Sequence, residues 1–263
     1  MIVEQIWTGN AYRNFNYLIA CPETGEAMAV DPLDHEKCLG RAKDKGWTIT
    51  QVLNTHEHGD HTGGNGAVIA ATGAKLLAHE NARNSIPGMD VGLGAGDIIK
   101  VGNTVELESL DTPGHTMSHV CLLSRTDQPS LFCGDTLFNA GAGNCHNGGH
   151  PNELYHTFAT QLADLPDGTL IYPGHDYIAN NLEFTLDREP DNARAKSLLS
   201  EIADQDTDNA MVSTLALEKE INAFFRLHSP TVIARLRESF PDLPEEVDPK
   251  TVFLKLRELR NSW

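Results

Sequence analysis

The sequence predicts a layered α+β body with a helical C-terminal part, and three observations carry that prediction. Up to about residue 177, short apolar runs of strand length alternate with turns and with segments of helical periodicity. Beyond it the apolar spacing is helical throughout, punctuated by Pro190, Pro230, Pro241 and Pro244. Within the first part, strand after strand ends in a Gly followed by His or Asp. A chain of 263 residues can bury a large core. The expected division is a body over 1–177 and a helical domain over 178–263.

Taken in order, 2–8, 15–20 and 27–31 read as strands of a meander, and 34–45 as the first helix with Asp34 as its N-cap. A strand over 50–54 leads into a polar loop, followed by a helix over 65–72 and a strand over 75–78. Residues 88–102, rich in Gly and Asp, are expected to form an irregular loop. Strands over 104–110, 120–124 and 131–134 precede a helix over 153–165 and a strand over 170–172. The last part reads as helices over 180–187, 192–204, 214–225, 231–239 and 249–259, with no strand. A meander joined to crossover helices implies a layered α/β or αββα arrangement with the sheets inside.

Charge narrows the function classes. The chain has 37 acidic and 20 basic residues, a net charge of −17, which argues against nucleic acid or an anionic membrane as general partner. An anionic small substrate would need a local basic patch. The first residues lack a basic segment followed by an apolar run, and no apolar stretch is long enough to span a bilayer. The five cysteines are odd in number, scattered and without metal-finger spacing. A cytoplasmic setting with plain core thiols fits best.

Thr55-His56-Glu57-His58-Gly59-Asp60-His61 packs three imidazoles and two carboxylates into seven residues. Imidazole nitrogen and carboxylate oxygen are ligands for Zn²⁺, Fe and Mn²⁺, whereas burying such a cluster without a cation leaves carboxylates desolvated. The segment lies between a predicted strand and helix. Alternation lets His56 and His58 point one way and turns Glu57 the other, while Gly59 frees Asp60 and His61 to face a second ion.

Three further strand ends repeat the design. Asp111-Thr112-Pro113-Gly114-His115 presents His115, Cys133-Gly134-Asp135-Thr136-Leu137-Phe138 presents Asp135, and Tyr172-Pro173-Gly174-His175-Asp176-Tyr177 presents His175. Each alone reads as an ordinary turn. With the first cluster they support one another as a ligand set.

This set resembles the metallo-β-lactamase superfamily, whose pattern H-x-H-x-D-H, then H, D and H on later loops, is matched at His56, His58, Asp60, His61, His115, Asp135 and His175. Within it the chain is most similar to the glyoxalase II, or hydroxyacylglutathione hydrolase, family, and the helical C-terminal part belongs to that likeness. The resemblance implies an αββα sandwich with a helical substrate-binding domain. It implies two divalent ions, Zn²⁺ first, with Fe or Mn²⁺ admitted by the same donors. One ion would take His56, His58 and His115, the other Asp60, His61 and His175, with Asp135 bridging. His119 and Asp111 are expected behind the ligands.

A water shared by two cations loses a proton near neutrality instead of at about 15.7, so no side-chain nucleophile is needed, and no Gly-x-Ser-x-Gly elbow supplies one. Asp60 is the expected catalytic carboxylate beside the bridging Asp135. A thioester suits this chemistry because a thiol of pKa about 8.5 leaves as thiolate without a strong acid. The implied reaction is hydrolysis of an S-(2-hydroxyacyl)glutathione, S-lactoylglutathione first, to glutathione and D-lactate. A lactonase and an iron persulfide dioxygenase of the same superfamily are the alternatives.

For substrate contacts the resemblance points to Tyr177, and to Arg257 and Arg260, whose i, i+3 spacing places both on one helix face. Asn144 stands where the family carries Lys or Arg, and His146 where it carries an aromatic ring. Both remain able to hydrogen-bond a peptide backbone. Cys145 has no activating neighbour in the sequence and reads as an inert thiol.

Overall fold

The computed structural model describes residues 1–126 and 128–263. Two six-stranded sheets face each other. In the first, β1 (Ile2–Trp7), β2 (Phe15–Ala20), β3 (Glu26–Val30), β4 (Thr48–Leu53), β5 (Lys75–His79) and β6 (Val91–Leu93) lie in chain order. The pairs β1·β2 and β2·β3 are antiparallel, and the rest are parallel. Parallel neighbours need a crossover, supplied by α1 (His35–Lys45) and then by α2 (Gly59–Thr62) with α3 (Asn65–Thr72). Asp34 caps α1 by accepting from the Lys37 N–H.

The second sheet holds β7 (Ile98–Val101), β8 (Val105–Asp111), β9 (Val120–Ser124), β10 (Ser130–Gly134), β13 (Leu170–Pro173) and β14 (Ser213–Thr214), in the order β14-β13-β10-β9-β8-β7. A small hairpin of β11 (Leu137–Phe138) and β12 (Gly141–Ala142) stands beside it.

Period-two alternation decides which core each side chain joins. From β2, Phe15, Tyr17 and Ile19 enter the layer between the sheets, where Tyr17, Phe132 and Tyr172 form an aromatic cluster. Leu18 and Ala20 face the other way, under α1 and α3. The outer face of the second sheet packs against α4 (Pro151–Thr157), α5 (Ile178–Arg188), α8 (Pro230–Ser239) and α9 (Pro249–Arg260) through Leu131, Ile171, Phe158, Phe184, Phe224, Leu236 and Phe253. The layers are therefore α, β, β, α. The remaining helices, α6 (Ala193–Glu201) and α7 (Leu215–Ile221), close a satellite core with α5.

The structure corrects the sequence reading in four places. Residues 88–102 are not an irregular loop: they contain β6 and β7, and Ile98 to Val101 alternate exposed and buried as an edge strand should. The C-terminal part does contribute a strand, since Ser213 and Thr214 pair with Ile171 and Leu170, a segment too short to carry a period. The helix expected over 153–165 starts at Pro151 and its end, Phe158–Leu162, winds as a wider π turn. The helix expected over 214–225 stops at Ile221, because Asn222 turns its side chain to the Gly141 carbonyl.

Candidate metal centre

Every chemical group of interest sits where a strand gives way to a loop, at one end of the sandwich. His56 and His58 follow β4, His61 lies in α2, Asp135 follows β10 and His175 follows β13. His115 lies in the loop after β8, held by the Gly114 N–H donating to the Thr116 carbonyl. Sharp turns need room: a Cβ on Gly174 would lie 2.3 Å from Asp135 Oδ1, and one on Gly143 would lie 1.8 Å from the Asp135 carbonyl oxygen.

All seven predicted ligands come together. His56, His58 and His115 form one group whose ligating atoms lie within 4.8 Å of one another, as do Asp60, His61 and His175, and also His56, His61 and Asp135. Asp135 stands between the groups. Its Oδ2 is 3.5 Å from His115 Nε2 and 3.2 Å from His175 Nε2, and its Oδ1 is 3.4 Å from His61 Nε2. Asp60 Oδ2 is 3.5 Å from His175 Nε2.

The outer nitrogen of each imidazole is committed to an oxygen. His61 Nδ1 donates to Asp31 Oδ2 at 3.0 Å, His115 Nδ1 to the Asn144 carbonyl at 2.7 Å, His175 Nδ1 to the Tyr12 carbonyl at 2.7 Å and His58 Nε2 to the Asn147 carbonyl at 3.0 Å. His56 Nδ1 lies 3.0 Å from Thr55 Oγ1, which itself donates to Asp31. A neutral imidazole has one donor and one acceptor nitrogen, so in their neutral forms the five rings aim five lone pairs inward. His61 Nε2 and His175 Nε2 oppose each other at 3.2 Å, and His115 Nε2 and His58 Nδ1 at 3.0 Å.

Lone pairs in such contact repel unless a proton or a cation lies between them. Asp135 Oδ1 moreover is buried without a hydrogen-bond partner among the described residues. Both observations fit bound cations, and an all-nitrogen-and-oxygen donor set of this kind suits Zn²⁺, Fe or Mn²⁺.

Electrostatics follow the same geometry. Burial pulls His56 well below the ordinary imidazole range, with His61 adding to the effect, and burial likewise lowers His115 and His119. For His61, burial is outweighed by Asp135 and Asp31, which hold it well above the ordinary value. Asp135 is buried, which alone would raise it, but His175 and His61 hold it well below the usual carboxylate range. Ionised Asp135 and neutral His56 and His115 are in the forms that ligate metal, whereas His61 would release a proton as a cation binds.

His119 is no ligand. It stacks on His56 with centroids 5.1 Å apart, and its Nε2 accepts from the Asp135 N–H at 3.2 Å. Asp111 lies 3.3 Å from His79, and Glu57 accepts from Thr116 Oγ1 at 3.0 Å, away from the cluster. Two supporting residues were missed. Asp31 closes β3 with a φ of +48° and collects Thr55 and His61, and the buried Asn14 donates to Asp60. A polar residue ending an otherwise apolar strand was the available signal for Asp31.

A cavity of about 240 Å³ adjoins the cluster, lined by Asn144, His146, Tyr177, Arg257 and Arg260 among others. Tyr177 stacks on His175, centroids 4.9 Å apart and 7° between planes, so the cavity begins one ring from the cluster. The two arginines differ. Arg260 is half-buried, donating to Asn181 Oδ1 at 3.3 Å. Arg257 is buried, its Nη1 donating to the Ala142 and Gly143 carbonyls at 2.7 and 2.9 Å and its Nε to Asn261 at 3.1 Å. Burial pushes the Cys145 thiol up to about 11, which leaves it protonated at neutral pH.

Fold and site together define a protein of the metallo-β-lactamase superfamily, and the family model of that superfamily matches residues 17–175. The model described as hydroxyacylglutathione hydrolase C-terminus matches residues 176–263. Hydroxyacylglutathione hydrolases of Nitrosococcus oceani and a Polaromonas species are 71% and 73% identical over all 263 residues, covering the whole of each chain. The crystal structure of ETHE1 from Myxococcus xanthus superposes with a TM-score of 0.68 at 26% identity, covering 99% of this chain and 98% of that one. The chain belongs to the hydroxyacylglutathione hydrolase family.

Proposed function

We propose that this chain hydrolyses the thioester of S-(2-hydroxyacyl)glutathiones, S-lactoylglutathione first, giving glutathione and D-lactate. One observation carries the reading: two triads of ligating atoms with Asp135 between them open beside a cavity that holds Tyr177 and Arg260. His56, His58 and His115 would hold one divalent cation and Asp60, His61 and His175 the other, shared through Asp135, with Zn²⁺ first among Zn²⁺, Fe and Mn²⁺. When bound, such a pair supplies Lewis acidity towards a water and the acyl oxygen.

The chain supplies the rest. Asp60, the more exposed of the two carboxylates, accepts and orients a proton of the attacking water. Tyr177 donates its own hydroxyl proton to the Tyr12 carbonyl at 2.9 Å, leaving the phenol oxygen as an acceptor for the peptide part. Burial, with Asp135 and Asp60 near, keeps that phenol protonated. Arg260 offers charge to a peptide carboxylate, and Asn144 and His146 offer hydrogen bonds to the peptide backbone.

On this reading 1–177 is the catalytic domain and 178–263 the substrate-binding one, working in the cytoplasm on a thioester rather than on nucleic acid or membrane. No helix among the described residues is long and apolar enough to cross a membrane. The test is turnover of S-lactoylglutathione by metal-loaded protein, beside a panel of thioesters differing in the thiol half and elemental analysis. Asp135→Ala should abolish turnover. Lactone hydrolysis without thioester hydrolysis would overturn the assignment.

A further inference from the structure

Arg257 and Arg260 share a helix face and both line the cavity, but their guanidinium groups are satisfied differently. Arg257 is 4% exposed. Burial pulls its guanidinium down to about 10, still charged at neutral pH, and a buried cation must find acceptors. It finds them in the carbonyls of Ala142 and Gly143, both on one nitrogen. Those residues begin the loop that runs from β12 past Asn147.

That loop serves the metal centre directly. The Asn144 carbonyl accepts from His115 Nδ1 at 2.7 Å, and the Asn147 carbonyl accepts from His58 Nε2 at 3.0 Å. Its Gly143 lies so close to the Asp135 carbonyl that no Cβ fits. Two of the three imidazoles of one triad thus take their tautomer and ring angle from carbonyls of a loop that α9 holds by one arginine. Asn222 anchors the same stretch by donating to the Gly141 carbonyl at 3.0 Å, and Glu218 by accepting from the Ala140 N–H at 2.8 Å.

We infer that Arg257 is a positioning residue for the metal centre: by fixing residues 142–147 it orients His115 and His58, and so couples the C-terminal helix to ion retention. This rests on the ligand assignment proposed above, and not on the identity of the substrate. Outer hydrogen-bond partners of metal ligands are worth 10–100-fold in affinity. Arg257 acts one step further out, so a loss of about tenfold is expected. Coupling is reciprocal, so an ion at His115 and His58 must also steady α9.

The first experiment uses the unaltered chain. Amide hydrogen exchange is followed on chelator-treated protein before and after Zn²⁺ alone is added. Slower exchange both in 141–147 and in α9 supports the coupling; slower exchange in the loop with α9 unchanged overturns it. The second compares Arg257→Met, which keeps the apolar stem, with Arg257→Lys, which returns one donor. About tenfold weaker Zn²⁺ retention and faster amide exchange in 141–147 for Arg257→Met, both partly restored by Arg257→Lys, is the expected result. A raised KM with Zn²⁺ retention and loop exchange unchanged would make Arg257 a substrate contact instead. Failure of the thioesterase reading leaves the Zn²⁺ and exchange readouts intact.

Discussion

Asn14 donates from one amide nitrogen to both the carbonyl oxygen and the Oδ2 of Asp60, at 3.1 and 3.2 Å. The same nitrogen lies 3.4 Å from His175 Nε2, and Asn14 is wholly buried. A residue 46 positions away therefore sets the rotamer of the carboxylate proposed to orient the attacking water.

Asn14→Ala should lower kcat by roughly tenfold, the low end for outer partners of a ligand, with a smaller change in KM. Asn14→Asp should be worse, since it sets a second carboxylate against Asp60. Steady-state kinetics on S-lactoylglutathione decides; equal kinetics for all three proteins would show that Asp60 needs no outside support.

Gly174→Ala tests the tightness of the centre. The added Cβ would lie 2.3 Å from Asp135 Oδ1 and 2.8 Å from His61 Cε1, so Asp135 must move from between the triads. Elemental analysis of the purified variant should find less metal per chain than in the unaltered protein, with turnover lost in parallel. Full metal loading at native activity would contradict the close approach.

Arg260→Ala removes the half-buried cation of the cavity. Loss of binding common to ground and transition states raises KM and leaves kcat nearly unchanged. A rise of about tenfold, equivalent to ~1.4 kcal/mol, is expected for one charge-assisted contact. A variant with unaltered KM would place the glutathione carboxylates elsewhere.

Acid stability has a marker in the helical part. Glu189 is buried, which raises its pKa, but hydrogen bonds from Arg226, Ser229 and Asn192 outweigh burial and hold it below the ordinary value of 4.5. A depressed folded pKa means that the contribution is present above the unfolded value and fades as pH falls through the folded one. Glu189→Gln should therefore lose about 2 kcal/mol at pH 7. The gap should narrow below 4.5, as thermal melts of both proteins across pH can measure. A gap constant down to pH 3 would show that shape, not charge, is what Gln lacks.

The residues that gather at the candidate metal centre were legible because each carries its own local mark. A strand end, a small residue and then His or Asp form a pattern within a few positions, and the spacing of His56, His58, Asp60 and His61 needs no other part of the chain. Asp34 as helix cap and the helices after Tyr177 were legible for the same reason. Residues 88–102 were not, since a three-residue strand has no period and is fixed only by its pairing with β5. Asn14 carried no mark, and Asp31 only that of a polar end to an apolar strand, because their acceptor and donors lie in the loop and short helix after β4.

What the sequence determined by itself was the inventory of donors, their order along the chain and the apolar alternation that brings strand ends to one side. What only the tertiary structure decided was orientation: which nitrogen of each imidazole faces inward, and which of two like arginines is spent on backbone carbonyls. The physical reason is range. Alternation and turn chemistry act over a few residues and survive in the one-dimensional record. The direction of a ring or a guanidinium is set by the acceptor it meets, and for Arg257 that acceptor lies 115 positions away along the chain.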